Sequence, residues 1–540
     1  MHERLAGAAW LVAAPLLLAQ TGPQVLTFPS SVDPAQQQYA LYVPKNFDAT
    51  RRYPLLVSLH SEDSTHRLNL VQILVEPGRF GLSGPDAGRF PPLRDTDFIV
   101  ACPLARGSMG YQGIPEQDVY DMVADVERRF PVDPDRVYLT GISAGGSGAL
   151  WLAMTHPDVW AGVAALCPDA IPGAGELAPN LLDLPLRLLH GELDPIVPVA
   201  SSRTWQRRLW DVGVPAGYQE YPAVRHNVWD IAYRPGGVLD WFVSLRRNPY
   251  PERVRLVTRS YRYSSAYWMR IDGLTPGVLA SVDAKRVGTA EVHIETRNVE
   301  GVTITSQGAD LPTQVNIDGA AIRVRPAAIL SFLKSANGWR AGLFSPDGKR
   351  PGAEGPIVEA VSARHIYVYG SLGARTADEL DARRKTAETA AEWSTTRDRL
   401  SLTLPVKADT EVTEADIASA DLVLFGAAET NLLIQRFAGH FPLALSPAAA
   451  DYGLLFIAPA GKHYALVSSG LPWWTGADEA ARGGYAAAPP QYRLLSTFGD
   501  YILFRGTLAH VVAEGRFDRN WKVPADAVPR LSAAGTITIR

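Results

Sequence analysis

The tightest constraint on this chain is the run Val137-Tyr138-Leu139-Thr140-Gly141-Ile142-Ser143-Ala144-Gly145-Gly146. Residues 137–140 are apolar and β-branched, a pattern suited to a buried strand. They lead without a spacer into Gly-x-Ser-x-Gly, and residues 147–154 then read as a small-residue helix. A strand that reverses into a helix through one serine leaves no room for Cβ atoms beside it, which accounts for the glycines flanking Ser143. The helix aims the positive end of its dipole at that serine. Such a turn suits a nucleophile whose attack creates an oxyanion. Ser143 is therefore the first candidate for chemistry, and the backbone N–H of Ala144 the first candidate to receive the charge.

The chain has 540 residues, enough for two to four domains. Its 46% hydrophobic and 20% charged content is that of a globular protein. A net charge of −4 removes the electrostatic case for a nucleic-acid partner. After Met1-His2-Glu3-Arg4, residues 5–19 are almost wholly apolar. That is short of the roughly 20 residues a membrane span needs, and suits the core of a signal peptide cut near Ala19 or Gly22. Residues 1–20 are thus read as a signal peptide, the alternative being a first buried helix. The protein is expected to be exported to the periplasm or beyond, with no stable membrane span after cleavage. Export would permit disulfides, yet the only cysteines are Cys102 and Cys167, each at the end of an expected strand. Two further strands should lie between them, which at about 4.8 Å per step puts them roughly 14 Å apart. Two buried free thiols are expected.

Along residues 21–249 strands and helices alternate, the pattern of a doubly wound, mostly parallel α/β sheet. Residues 53–60 form a continuous apolar run typical of a central strand, residues 61–95 read as an irregular loop insertion, and residues 117–130 as an amphipathic helix. The polar joint Arg246-Arg247-Asn248-Pro249-Tyr250-Pro251 marks the first boundary. Residues 250–350 then show short strands with turn signals, suggesting a small antiparallel β-sandwich. Residues 356–540 read as a second α/β domain, with a strand at 400–405 among others. No Gly-x-Gly-x-x-Gly joins a strand to a helix there, so no nucleotide and no other cofactor is assigned. Tyr261, Tyr263 and Tyr267 could line one aromatic face for carbohydrate stacking, but sandwich core is the better reading. The same holds for Trp473-Trp474.

A serine hydroxyl needs a histidine to take its proton, and the histidine needs a carboxylate to hold it. His190-Gly191-Glu192-Leu193-Asp194-Pro195 follows one strand, and His226 lies in the loop after the next. Asp194 is the preferred acid and His226 the preferred base, because both then sit at strand ends alongside Ser143. Asp169 and Glu192 are the competing acids. The second oxyanion donor is expected from Ser61 or Glu62, just past the central strand. Arg106 and Tyr111 follow another strand and would face the cleft. Arg106 would bind a substrate oxygen or, as readily, pair with Asp118 or Asp121. His60, His66 and His190 lack the spacing of a metal site, so no metal is assigned.

The segments Asp133 to Gly146, His190 to Pro198 and His226-Asn227-Val228-Trp229 resemble the esterase and prolyl-oligopeptidase-type branch of the α/β-hydrolases. The resemblance covers residues 38–245. It implies Ser143 as nucleophile, Asp194 as orienting acid and His226 as base, in the family's chain order. Members usually carry His-Gly after the central strand, whereas this chain has His60-Ser61, which bears on the geometry of the oxyanion hole. Its dipeptidases usually place a β-propeller ahead of the hydrolase. Only about 20 residues separate the expected cleavage from Tyr39. The expectation therefore tilts toward a small-molecule or polymer-linked ester as substrate rather than a peptide. A serine peptidase with the same triad is the first alternative, and an inactive binding protein the second.

Overall fold

The computed structural model describes residues 20–62, 64–75, 90–306, 311–393, 402–477, 490–533 and 535–540. The expected signal peptide lies almost wholly outside them. Eight strands build the first sheet: β1 (Gly22–Pro29), β2 (Gln36–Val43), β3 (Tyr53–Leu59), β4 (Ile99–Pro103), β5 (Val132–Ile142), β6 (Gly162–Leu166), β7 (Leu186–Gly191) and β8 (Ala216–Tyr221). Their order is β1-β2-β4-β3-β5-β6-β7-β8. β1 and β2 pair antiparallel, as do β2 and β4, and every later pair is parallel. This is the doubly wound α/β sheet expected of an α/β-hydrolase.

The apolar run of β3 has a direct cause. Leu55, Val57 and Leu59 enter one core, under α2 (Ile114–Arg129), α3 (Ala144–Thr155) and α4 (Ala200–Asp211). Leu56 enters the core on the opposite face, with Leu70, Ile73 and Leu74 of α1 (His66–Leu74). Alternate residues point to opposite faces, and helices cover both, so both parities are mostly apolar, and the buried Ser58 hydroxyl is partnered by Asn69.

Helix α1 corrects part of the loop expected over residues 61–95, of which 63 and 76–89 lie outside the described residues. Thr65 caps it, and Asn69 on its buried side donates to the Ser58 carbonyl at 2.8 Å. Its buried face includes His66 and Asn69, so polar residues break the apolar stripe by which a helix is recognised in sequence. The cysteines behave as expected. Both thiols are buried and unpaired, with β3 and β5 between the strands that carry them.

The sandwich consists of two five-stranded sheets closing on one apolar core that holds Trp268, Phe332 and Trp339. It is not purely antiparallel, because Glu291–Arg297 and Gln314–Ile317 pair in parallel. The last sheet has seven strands and runs parallel over Val406–Ala408, His365–Tyr369, Asp421–Phe425 and His463–Gly470. The strand expected at 400–405 begins instead at Val406. Residues 402–405 are not in a strand, and 400 and 401 lie outside the described residues.

These parts are packed against one another. Val32, Met109 and Ile114 of the first part share a core with Ile357 and Val361. Buried Glu116 of α2 accepts from Trp151 Nε1 of α3 at 3.0 Å and from the Tyr263 hydroxyl at 2.9 Å. Tyr267 donates to the Pro157 carbonyl, and Tyr261 to that of Leu274. The three tyrosines therefore serve the domain junction and the sandwich core and form no stacking platform. Trp473 is buried in the core of the last domain, with Trp474 against it.

Candidate active site

Strand β5 ends at Ile142, and Ser143 turns the chain into α3 with φ of 58° and ψ of −118°. A non-glycine residue there is strained by about 1–3 kcal/mol, a cost that persists only where the surroundings enforce it. They do. A Cβ on Gly141 would lie 2.0 Å from the Gly145 carbonyl oxygen. One on Gly145 would lie 2.2 Å from the Leu59 carbonyl oxygen, and one on Gly146 2.4 Å from that of Leu166. The glycines thus let the start of α3 press against the ends of both neighbouring strands. Ser143 N donates to Leu166 O at 2.8 Å and locks the turn to β6.

Backbone strain recurs along this rim. Cys167, just past β6, has φ of 47°, and Ala223, just past β8, has φ of 59°. The loop after β8 folds back across the end of β7. Leu193 N donates to Val224 O at 2.9 Å, and a Cβ on Gly191 would meet the Arg225 carbonyl oxygen at 2.1 Å. The Cys167 thiol donates to the His226 carbonyl at 3.3 Å, so the loop reaches as far as β6, the strand beside Ser143.

That fold-back brings His226 onto Asp194, with Nδ1 2.6 Å from Oδ2. The other carboxylate oxygen accepts from Ile196 N at 2.9 Å and Val197 N at 3.0 Å. Burial opposes ionisation of Asp194, but the hydrogen bonds from His226 and from these two amides outweigh it, holding its pKa below the usual value. A carboxylate on Nδ1 fixes the tautomer that leaves Nε2 free to accept a proton. Trp229 packs edge-on against the imidazole at 5.6 Å. Among the described residues neither Ser143 Oγ nor His226 Nε2 has a hydrogen-bond partner, and both residues are partly exposed. The rival acids are both exposed and otherwise engaged. Asp169 accepts from Ala170 N, and Glu192 from Ala223 N at 3.1 Å.

Ala144 is the first residue of α3, so its N–H has no partner within the helix. Ser61 and Glu62 continue from β3, whose final carbonyls abut Gly145, so their loop lies beside the start of α3. Ser61 is not among the left-handed residues, and a serine therefore replaces the family's glycine without backbone strain. Tyr111 is buried, contrary to the substrate-facing role expected. Its hydroxyl donates to the His60 carbonyl at 2.9 Å, and its ring fills the space beside Gly148. It braces the loop after β3 against α3.

Arg106 is also corrected as a substrate ligand. Its side chain is wholly buried, 2.7 Å from Asp33 and 2.5 Å from Asp118. Planar guanidinium geometry satisfies two carboxylates at once, so the ion-pair role wins. Sequence reasoning passed over Asp33, which lies 73 residues away and also accepts from Thr403 N of the last domain at 3.1 Å.

Cys167 Sγ, a ring nitrogen of His190 and a carboxylate oxygen of Asp194 lie within 4.8 Å of one another, with His190 Nε2 3.3 Å from Asp194 Oδ2. A cation there would compete with His226 for Oδ2, so the three are read as one hydrogen-bonded cluster. His60 ties the loops after β3 and β4 together, with Nδ1 2.7 Å from Ser61 O and Nε2 2.9 Å from Leu104 O. Among the described residues no helix is long and apolar enough to cross a membrane.

Residues 119–228 match the family described as "Putative esterase", a span that contains Ser143, Asp194 and His226. The "Putative esterase NocK" of Nocardia uniformis subsp. tsuyamanensis is 42% identical over 67 residues, 12% of this chain and 19% of its own length. The "Poly(3-hydroxyoctanoate) depolymerase" of Pseudomonas fluorescens is 32% identical over 117 residues, 21% of this chain and 41% of its own. The chain thus spans less than half the length of either relative. Among solved structures, a thermostable esterase matches 42% of this chain and 63% of its own at 23% identity and a TM-score of 0.33. Strand order and the turn at Ser143 give the N-terminal part of this chain the α/β-hydrolase fold, and the family match falls within that part.

Proposed function

We propose that the chain is an exported serine hydrolase that cleaves carboxylic esters through an acyl-enzyme. The observation that carries this reading is the 2.6 Å pair of Asp194 and His226, which follow the strands two and three places along the sheet from the one that ends at the strained serine. His226 Nε2 takes the proton of Ser143 as its Oγ attacks the ester carbonyl. The tetrahedral oxyanion is received by Ala144 N–H and by an N–H from Ser61 or Glu62. His226 then protonates the departing alcohol, and a water deprotonated by the same imidazole releases the acid. In acyl-transfer sites the serine–histidine hydrogen bond is often long until substrate binds, which accommodates its absence here. Small-molecule and polymer-linked esters are the proposed substrates, and the esterase match over the site supports ester over peptide.

The test combines fluorophosphonate labelling with a substrate panel. Ser143 should be the labelled residue, and p-nitrophenyl acyl esters should be turned over far faster than Ala- or Pro-linked anilides. Anilide turnover with negligible ester turnover would make the chain a peptidase, and an unlabelled Ser143 would make it a binding protein.

A further inference from the structure

His190 is fully buried at the end of β7, four residues before Asp194. The reaction described above does not use it. Its ring is nevertheless held at both nitrogens. Nε2 lies 3.0 Å from the Val197 carbonyl oxygen and 3.3 Å from Oδ2 of Asp194. Both oxygens can only accept, so Nε2 carries a hydrogen. Nδ1 lies 2.7 Å from the hydroxyl of Ser202 on α4, itself fully buried, and that hydroxyl donates to it in the neutral ring.

These contacts close a small circuit. His190 N–H holds the Val197 carbonyl, while Val197 N–H holds Oδ1 of Asp194. The positive end of the same His190 N–H dipole sits beside Oδ2, the oxygen that takes His226. One buried ring therefore pins the turn that presents the acid and also faces its charge. The other groups around it are few. Cys167 adds a thiol from the loop after β6, and Glu220 on β8 adds a carboxylate already paired with Arg203 of α4.

We propose that His190, set by Ser202, is a positioning residue that fixes Asp194 for His226. The proposal rests on the Ser143–Asp194–His226 reading. Losing the ring frees Val197 and removes a donor from beside Oδ2, and both loosen the aim of Asp194. The less compensated carboxylate then attracts a protonated His226 more strongly. The acid limb of the rate profile should move to higher pH.

The test uses the full chain, ester hydrolysis and a fluorophosphonate count of active sites. His190→Leu should lower kcat per labelled site about 10- to 100-fold with KM little changed, and shift the acid limb upward. His190→Gln places an amide N–H near the lost Nε2 and should recover most of the rate. Ser202→Ala, which keeps the ring but frees its other nitrogen, should move rate and limb the same way by less. A purely packing role would reduce the number of active sites and leave both per-site readouts alone. A folded His190→Leu protein with unchanged per-site kcat and acid limb overturns the proposal. Should that variant not fold, an unchanged Ser202→Ala profile does so. Asp194→Asn separates the two readings. If it keeps full activity the triad itself is wrong, whereas if it is inactive while the His190 and Ser202 variants are normal, only the positioning role falls.

Discussion

Gly145→Ala tests how closely α3 is seated against the loop after β3. The added methyl would stand 2.2 Å from the Leu59 carbonyl oxygen and 2.7 Å from that of His60. An ordinary contact begins near 3.4 Å, so helix and loop must separate by about 1 Å. Both obstacles are backbone, and neither can rotate away. Overpacking of this kind costs about 1–3 kcal/mol of stability. The separation also carries Ala144 N–H away from the Ser61/Glu62 amides. A misplacement of about 1 Å costs roughly 100-fold in rate, or about 2.7 kcal/mol of transition-state stabilisation. Gly370→Ala is the matched control, since its methyl would meet the Thr430 carbonyl oxygen at 2.0 Å, a backbone clash in the last domain away from that loop. Both variants should unfold at lower temperature by similar amounts. Only Gly145→Ala should lose about 100-fold in kcat per fluorophosphonate-labelled site. Equal per-site losses in the two variants, or an unchanged rate in Gly145→Ala, would refute a shared oxyanion hole between α3 and the loop after β3.

Asp194→Asn should reduce kcat/KM for esters about 10⁴-fold with little change in thermal stability, because the amide favours the wrong imidazole tautomer. Arg106→Met should leave KM and per-site kcat unaltered yet cost about 3–5 kcal/mol on unfolding, since Asp33 and Asp118 lose their shared cation. A large rise in KM would instead restore Arg106 to the substrate. Burial holds His365 in the last domain well below the ordinary histidine pKa, at about 4. Its folded pKa is depressed, so its contribution to stability is complete above pH 6.5 and is lost as pH falls toward 4, by up to about 1.4 kcal/mol per pH unit. Denaturant midpoints measured between pH 7 and 4 should fall, and His365→Phe should flatten that slope. Glu354 behaves oppositely. Burial raises its pKa to about 7, so the stability it supports is full below pH 4.5 and declines as pH rises to 7. Glu354→Gln should weaken that alkaline decline in thermal midpoint.

Why some readings transferred to the structure and others did not follows from how far each interaction reaches along the chain. Ser143 was legible because strand, turn and helix are contiguous, and each glycine's close contact is dictated within that unit. Asp194 and His226 were legible from position, since parallel strands deliver their following loops to one rim. Helix α1 escaped because Asn69 and His66 interrupt its buried stripe, and only contact with Ser58 explains a buried asparagine there. Arg106 was open between two roles because its deciding partner, Asp33, is remote in sequence. The tyrosines at 261, 263 and 267 showed an alternating pattern without revealing what would cover them.

Local order along the polymer thus determined the strand–serine–helix turn, the alternation that builds the sheet, and which loops could supply an acid and a base. Those features depend on steric and periodic rules that act over a few residues. Only tertiary structure decided that Asp194 and not Glu192 meets the imidazole, that Arg106 is sealed between two carboxylates, and that the C-terminal half packs against α2. Such choices turn on burial, and burial depends on which distant segment arrives to exclude water.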